Sequence, residues 1–387
     1  MTDHDKKSQP ILRLSDFTYD YPPSLVAQHP LKNREDSKLL VSSNSGTSHH
    51  LVKELAELVP KNTIFIVNDS RVISSRIPFR TPQGGAGELL LLEPVTLSPS
   101  ASPDVGSCES WLALARPVKK LKIGQVFDLG HDLQATITNL PDQSKDGVQP
   151  IKVAFSLTGQ SLLKWLENYG EVPLPPYISR KHAAHDSRAE DQTRYQTIYA
   201  GLNGSVAAPT AGLHFSKALI ERLKTRGCEI HPITLHVGAG TFLPVKTQTI
   251  ADHTMHSERF MINKSTLEAM SSAKALRRTV VLVGTTTFRA IEGFKEITRL
   301  TKKDPLELAE TWQRTGIFIH PKTKEDRYEP WFGDALMTNF HQPESTLLML
   351  VSAIFGYSRI QEIYKEAVAK SYRLFSYGDS SLLWFKS

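Results

Sequence analysis

Val280-Val281-Leu282-Val283-Gly284-Thr285-Thr286-Thr287-Phe288-Arg289 sets a four-residue apolar run against a glycine, three hydroxyls and an arginine. A continuous apolar run of that length reads as a buried strand, Gly284-Thr285-Thr286 as the turn after it, and a helix follows through Ile291. Strand, ligand-facing turn and helix in succession are the unit that places binding groups at the strand ends of an open α/β sheet. Thr63-Ile64-Phe65-Ile66-Val67 reads as a second buried strand, ending at Asn68-Asp69 and preceded by a short helical pattern over Leu51–Leu58. Ala335–Met337 is strand-like, and Leu162, Leu163, Trp165 and Leu166 open a helix.

From Arg71 the texture changes. Gly87–Glu93, Ser110–Ala115, Gln125–Leu129, Ala135–Leu140 and Ile151–Leu157 are short strand-like runs separated by Gly, Pro, Asp and Asn, the spacing of a small antiparallel barrel. The expected fold class is therefore α/β, a large domain made of 1–70 and 160–387 and interrupted by a β-barrel domain at 71–159. Within the barrel, Pro94–Ser107 is rich in Ser and Pro and reads as a mobile surface loop. No internal repeat is evident.

Composition narrows the function classes. The 387 residues are 40% hydrophobic and 22% charged, as in a folded chain long enough for two domains. The longest apolar run, Leu347–Phe355, is too short to span a bilayer and contains Ser352. The opening residues, Met1-Thr2-Asp3-His4-Asp5-Lys6-Lys7, are polar and carry no apolar targeting core, so a cytoplasmic location is expected. Cys108 and Cys228 stand far apart with no CxxC, which supports neither a disulfide framework nor a thiolate metal site. A formal charge of +6 suits an anionic partner without proving one. No P-loop, dinucleotide fingerprint or GxSxG is present.

The richest loop is Gly204-Ser205-Val206-Ala207-Ala208-Pro209-Thr210-Ala211-Gly212-Leu213-His214-Phe215, followed by an amphipathic helix over Lys217–Arg226. Gly204, Gly212 and Pro209 permit unusual backbone angles, and the alanines leave room for close approach. The free N–H groups at the helix start would welcome a polar or negative group; the plainer reading is a capped turn. Around this loop stand Gly170–Ile178, Arg194–Ala200, Leu235–Phe242 and His253–Glu258. Further words are Asp16–Asp20 with Pro22, Ala27–Pro30 with Arg34, Asn68–Val72, Gly284–Arg289, Thr338–Leu350, Tyr372-Arg373 and Phe375–Asp379. Together, and in this order along almost the whole chain, they resemble the S-adenosylmethionine:tRNA ribosyltransferase-isomerase family of queuosine biosynthesis.

The resemblance implies a large α/β domain with a smaller barrel. It also implies an enzyme, a transferase and isomerase, whose cosubstrate S-adenosylmethionine gives its ribosyl group to the aminomethyl-deazaguanine at the wobble position of tRNA. Adenine and methionine leave, the ribose rearranges to an epoxycyclopentanediol, and the product is epoxyqueuosine-tRNA. No metal, membrane or protein partner is implied, and a monomer is expected. Such chemistry needs a base for the ribose 5′ carbon, made acidic by the sulfonium, an acid for adenine departure, and an acceptor for the proton lost by the attacking amine.

His214 is the first candidate for proton transfer, with a helix N-terminus expected to keep it neutral; a structural histidine is the alternative. Glu171 and Asp69 are carboxylates for the amine proton or the sulfonium, or else a salt bridge and a cap. His236, His253, His256 and Glu258 line a substrate site, bond internally or hold a metal; their spacing lacks HExxH, and no metal is expected. Arg71, Arg116 and Arg289 suit carboxylate or phosphate recognition, Arg289 that of the donor's methionine carboxylate. Thr285, Thr286 and Thr287 orient donor hydroxyls or cap a helix. Asn339 and His341 read the deazaguanine edge, with Tyr377 or Phe340 stacking on it or filling core. Thr210 and Asp379 complete the substrate-binding set.

Two other classes stay open: an inactive RNA-binding scaffold, against which the retained Thr210, His214, Glu171, Asn339 and Asp379 argue, and a methyltransferase, against which the absence of a Gly-rich loop after Thr63–Val67 argues. The chain departs from the family pattern at Phe318–Glu325 and Asp326–Phe332, at Thr287-Phe288 and at Ser380-Ser381-Leu382, which puts local loop shape in question more than activity.

Overall fold

The computed structural model describes residues 12–81, 84–95, 110–118, 121–141, 149–180, 187–238, 240, 245 and 247–385. The Ser/Pro-rich stretch lies outside them from position 96 on, as do the first seven residues, Cys108 and 241–244.

The chain opens with β1 (Lys38–Ser43), β2 (Gly46–Leu51), α1 (Leu55–Leu58) and β3 (Ile64–Asn68). The helical pattern read at Leu51–Leu58 is thus shorter than expected: Leu51 closes β2, and Val52–Glu54 is a 3-10 turn before α1. A two-residue strand β4 (Arg71–Val72) leads into β5 (Arg76–Arg80), β6 (Ala86–Pro94), β7 (Ser110–Arg116), β8 (Val126–Asp128), β9 (Gln134–Asn139) and β10 (Ile151–Phe155). Then come α2 (Gly159–Tyr169), α3 (Ser187–Arg194), β11 (Asn203–Ser205), α4 (Lys217–Thr225), β12 (Glu229–His236) and β13 (Glu258–Ile262). The rest is α5 (Lys264–Ala275), β14 (Val280–Val283), α6 (Thr285–Thr301), β15 (Gln313–Thr315), β16 (Ala335–Asn339), α7 (Thr346–Phe355), α8 (Tyr357–Ala369) and β17 (Ser380–Trp384).

Nine strands form one sheet in the order β15-β13-β12-β3-β14-β16-β17-β1-β2. Its centre, β12, β3, β14 and β16, is parallel, with antiparallel neighbours β13 and β17 on either side. Strand residues alternate faces, and the burial follows. Ile64, Ile66, Leu282 and Leu336 belong to the core under α5, α6, α7 and α8, while Phe65, Val67, Val281 and Met337 face α1 and α4 on the other side. Both faces being covered explains why β14 is apolar throughout and β3 is apolar up to its last residue, Asn68. The run Leu347–Phe355 is most of α7, buried from Leu348 onward inside the first of these cores. Among the described residues no helix is long and apolar enough to cross a membrane.

The second sheet is antiparallel, β5-β6-β7-β10-β9-β8, nearly closed into a barrel. β5 and β7 alternate exposed or half-buried with buried residues, so one face supplies Ile77, Phe79, Trp111, Ala113 and Ala115 to a separate core. α2 packs Leu162, Trp165 and Leu166 into that same core, across the boundary expected at 159/160. The chain leaves the large sheet through β4 and returns through β11, which pairs with it in parallel. Arg76 and Glu171 exchange backbone hydrogen bonds of 3.1 and 2.8 Å at the neck.

Candidate active site

The carboxyl ends of four parallel strands lie side by side: His236 of β12, Asn68 of β3, Gly284 after β14 and Asn339 of β16. In an open α/β sheet this edge is where ligands bind. Asn68 knits it together, its carbonyl accepting from Ser70 N and Leu235 N while its amide donates to Leu235 O at 2.9 Å and Thr286 Oγ1 at 3.3 Å.

Above the edge is a cavity of about 540 Å³. Three words of the sequence meet there: Ala207–Ala211, Gly284–Thr286 with Arg289, and Thr338–Leu347. Of the expected site residues, Thr210, Thr285, Thr286, Arg289, Asn339, His341 and the stacking candidate Phe340 line it. Gly284 has φ +91°, which a side chain would strain, and α6 starts directly behind it with no side-chain cap. α4 is different. Ser216 caps it by accepting from Leu219 N and itself donates to Glu35 Oε2, so the expected welcome for a ligand at that helix start is already taken up. Two helix starts face the cavity, the uncapped one of α6 and that of α7, which Ser345 caps by accepting from Leu348 N.

Arg289 is 4% exposed. Its Nη1 donates to Glu258 Oε2, whose other oxygen accepts from Gly238 N at 3.0 Å, while Nε and Nη2 are buried with no partner. His341 is held by Thr338 Oγ1 at 3.1 Å and, through its backbone, by Tyr364 and Tyr19; burial pushes its ring down to about 3, so it is neutral.

His214 lies behind the cavity wall. Asn339 donates its amide to Phe375 O and Ser376 O, which fixes its carbonyl toward His214 at 3.0 Å and places the proton on His214 Nε2. The ring is pushed down to about 4, first by burial and then by Arg373 and Arg34, rather than by a helix N-terminus. Asn339 therefore spends most of its amide inside the protein.

A second cavity of about 300 Å³ lies between the barrel and the large sheet, lined by Leu92, Leu112 and Leu114 on one side and His236, His256 and Glu258 on the other. Val237 lines both cavities. His236 accepts or donates at Ser70 Oγ, 2.7 Å, stacks on Trp312 with ring centroids 4.8 Å apart, and is pushed down to about 3 by burial and Arg259.

The remaining expected residues lie elsewhere. Asp69 accepts from Thr234 Oγ1 at 2.6 Å, its carboxyl raised by burial. Glu171 sits 3.9 Å from Arg76 Nε at the neck, and Arg71 and Arg116 are exposed on β4 and β7. His253 packs edge-on against Phe318, lowered by burial and His256. Tyr377 is buried against Tyr195, and Asp379 accepts from Lys38 N and Arg373 N. None of these seven lines either cavity. Among the described residues no three His, Cys, Asp or Glu side chains converge as metal ligands.

Glu344, Tyr177, Gln342, Thr346 and Ser376 also line the first cavity and were not singled out as site residues. Glu344 is the one carboxylate among the described lining residues and has φ +57°, rare outside glycine. The signal available was the Pro343-Glu344 pair just before the apolar run Leu347–Phe355. The departing segment 318–332 is latched to α6: buried Glu292 accepts from Tyr328 OH and Trp331 N, each at 2.7 Å.

An α/β sheet with an anion-ready cavity at its carboxyl edge and an antiparallel barrel beside it fits a nucleotide-handling enzyme. A family profile described as Queuosine biosynthesis protein matches residues 14–383, and the chain belongs to that family. It is 40% identical over 382 residues to a protein of Caulobacter sp. (strain K31) named S-adenosylmethionine:tRNA ribosyltransferase-isomerase, covering 96% of this chain and 97% of that one. A protein of Treponema denticola with the same name is 37% identical, covering 95% and 99%. The crystal structure of S-adenosylmethionine tRNA ribosyltransferase from Thermotoga maritima is 28% identical, covers 95% of this chain and 99% of that one, and has a TM-score of 0.49.

Proposed function

We propose that this chain is a tRNA-modifying transferase and isomerase that moves the ribosyl group of S-adenosylmethionine onto the aminomethyl-deazaguanine at the tRNA wobble position, releasing adenine and methionine. The observation that carries the geometric side is Arg289, a buried guanidinium with two unpartnered nitrogens at the cavity wall. It suits the methionine carboxylate, beside the uncapped start of α6 and the hydroxyls of Thr285 and Thr286. Ala207, Ala208 and Ala211 leave the main chain open to a ribose or purine, and a volume of about 540 Å³ suits a ligand of this size.

The proton removed from the ribose 5′ carbon goes to Glu344, the carboxylate at hand, and the neutral His341 holds a leaving or attacking group by hydrogen bond. The tRNA base enters from the side of the cavity lined by Asn339 and Ser376. His214 acts as a positioning residue through Asn339. Residues 71–159 are read as a domain inserted into a discontinuous α/β domain of 1–70 and 160–387, supported by strands 76–155 forming a sheet of their own and by the β4–β11 return. A cytoplasmic monomer is the form proposed for it.

The test is to incubate purified protein with S-adenosylmethionine and tRNA carrying the aminomethyl-deazaguanine. Equal release of adenine and methionine is expected; release of S-adenosylhomocysteine would replace this reading with methyl transfer.

A further inference from the structure

Behind the His214–Asn339 pair is a small recess, lined by Arg34, Arg194, Leu213, His214, Ser376 and Tyr377. It shares Ser376 with the large cavity. Arg373 stands beside it, donating to Tyr377 O at 2.7 Å and to His29 O at 2.5 Å. The other two arginines likewise bond only carbonyls: Arg34 donates to Leu213 O and Thr193 O at 3.1 Å each, and Arg194 to Lys32 O at 3.2 Å and to Leu31 O.

Carbonyls fix the guanidinium planes but cancel no charge. Among the described residues none of the three forms an ion pair, and the acids nearby are engaged otherwise. Asp191 is held by Arg180 through two hydrogen bonds, Glu35 by Arg222 and Ser216, and Asp379 by the backbone N–H groups of Lys38 and Arg373. Arg194 Nε and Arg373 Nη1 are buried with no acceptor. The positive field is felt next door, where Arg373 and Arg34 both help burial keep His214 neutral. Asp379 offsets part of the Arg373 charge, but Arg34 and Arg194 face each other as like charges with no ion-pair partner among the described residues, and these half-buried cations with donors to spare form a preorganised anion site.

We propose that this recess seats one phosphodiester of the tRNA backbone next to the modified base, a reading that rests on the tRNA substrate inferred above. The hollow itself is about 20 Å³, room for a water, so the phosphate sits at its mouth against Arg34 and Arg194. Held there, it registers the base with the Asn339–Ser376 side of the cavity.

The experiment uses full-length protein and an anticodon stem-loop in which each loop phosphate is replaced in turn by an uncharged methylphosphonate. One position is expected to weaken binding to wild type about tenfold, and the same replacement to cost nothing further in Arg194→Gln or Arg34→Gln. Each variant is expected to lower the slope of log affinity against log salt by about 1. Unchanged S-adenosylmethionine binding by calorimetry reports an intact fold, and the milder Arg194→Lys, which keeps the charge, is expected to hold most of the affinity. Costs that add at every position overturn the proposal, as does a change in inhibition by inorganic phosphate with no change in RNA affinity, which would make the occupant a free anion. Wild type that binds the stem-loop with this coupling but releases no adenine leaves the recess standing and removes the proposed reaction.

Discussion

Replacing Arg289 by Met separates its two roles. Arg289 and Glu258 are each 5% exposed at the side chain, so the pair is not screened by solvent. Removing the cation strands a buried carboxylate, which costs about 3–5 kcal/mol of folding stability. Removing it also takes the proposed carboxylate partner from S-adenosylmethionine; charge-assisted hydrogen bonds contribute about 1.5–3 kcal/mol, so the Kd should rise about ten- to a hundredfold. The two effects come apart in Glu258→Gln/Arg289→Met, where no buried charge is left: stability should recover by most of the loss while affinity stays low. Denaturant midpoints give the first quantity and calorimetric titration the second. If affinity recovers together with stability, Arg289 acts only by holding the fold, and the assignment of the donor's carboxylate to it fails.

Three further outcomes follow from the geometry. His214, His236 and His341 are depressed to about 4, 3 and 3, so between those values and about 6.5 the unfolded chain holds more protons; their contribution is complete above pH 6.5 and is lost toward pH 4, by up to about 1.4 kcal/mol per pH unit per ring. Nitrogen-15 shifts should show all three rings neutral at pH 5, and a ring protonated at pH 6 contradicts the burial that sets these values. Gly204→Ala puts a Cβ 2.7 Å from His236 Nε2 at φ +148°, against a ring clamped by Ser70 and Trp312; backbone strain and overpacking together should cost about 2–6 kcal/mol, and a denaturation loss under about 1 shows that the ring yields. Glu344→Gln should lower kcat by a factor of about 10²–10⁴ with little change in donor affinity, and a loss of less than about fivefold in single turnover removes Glu344 as the base.

The centre of the large sheet was legible because β3 and β14 are buried on both faces and carry nothing polar until Asn68 and Gly284. Its margins were not. β2 is Gly46–Leu51, exposed and polar at the sheet edge, and β17 buries Ser380 and Ser381 by bonding both hydroxyls to Thr338 O, so neither shows an apolar period. β12 carries Pro232 in its interior, a residue that argues against a central strand, yet it pairs with Val67 of β3. Five of the six barrel strands, β6 to β10, were readable as short runs between turn residues, while β5 was not read, and α2 shows no mark in sequence of packing on the barrel. Of the site, the residues at strand ends could be found because turn chemistry and strand signal coincide there. Glu344 could not, because its place at the cavity depends on a loop conformation, and the separation of His214 from the cavity depends on which way Asn339 points.

Arg289 lines one cavity and its partner Glu258 lines the other, so this buried ion pair, together with Val237, is part of the wall between them. An anion drawn to Arg289 competes with Glu258 for the same charge and leaves that carboxylate freer to meet a cationic or hydrogen-donating guest on its own side. By linkage the effect is reciprocal: whatever factor an occupant of one chamber imposes on affinity in the other is returned unchanged. The order in which two ligands arrive would then change the path of assembly but not its total free energy, and the shared wall becomes the place where cooperativity is set.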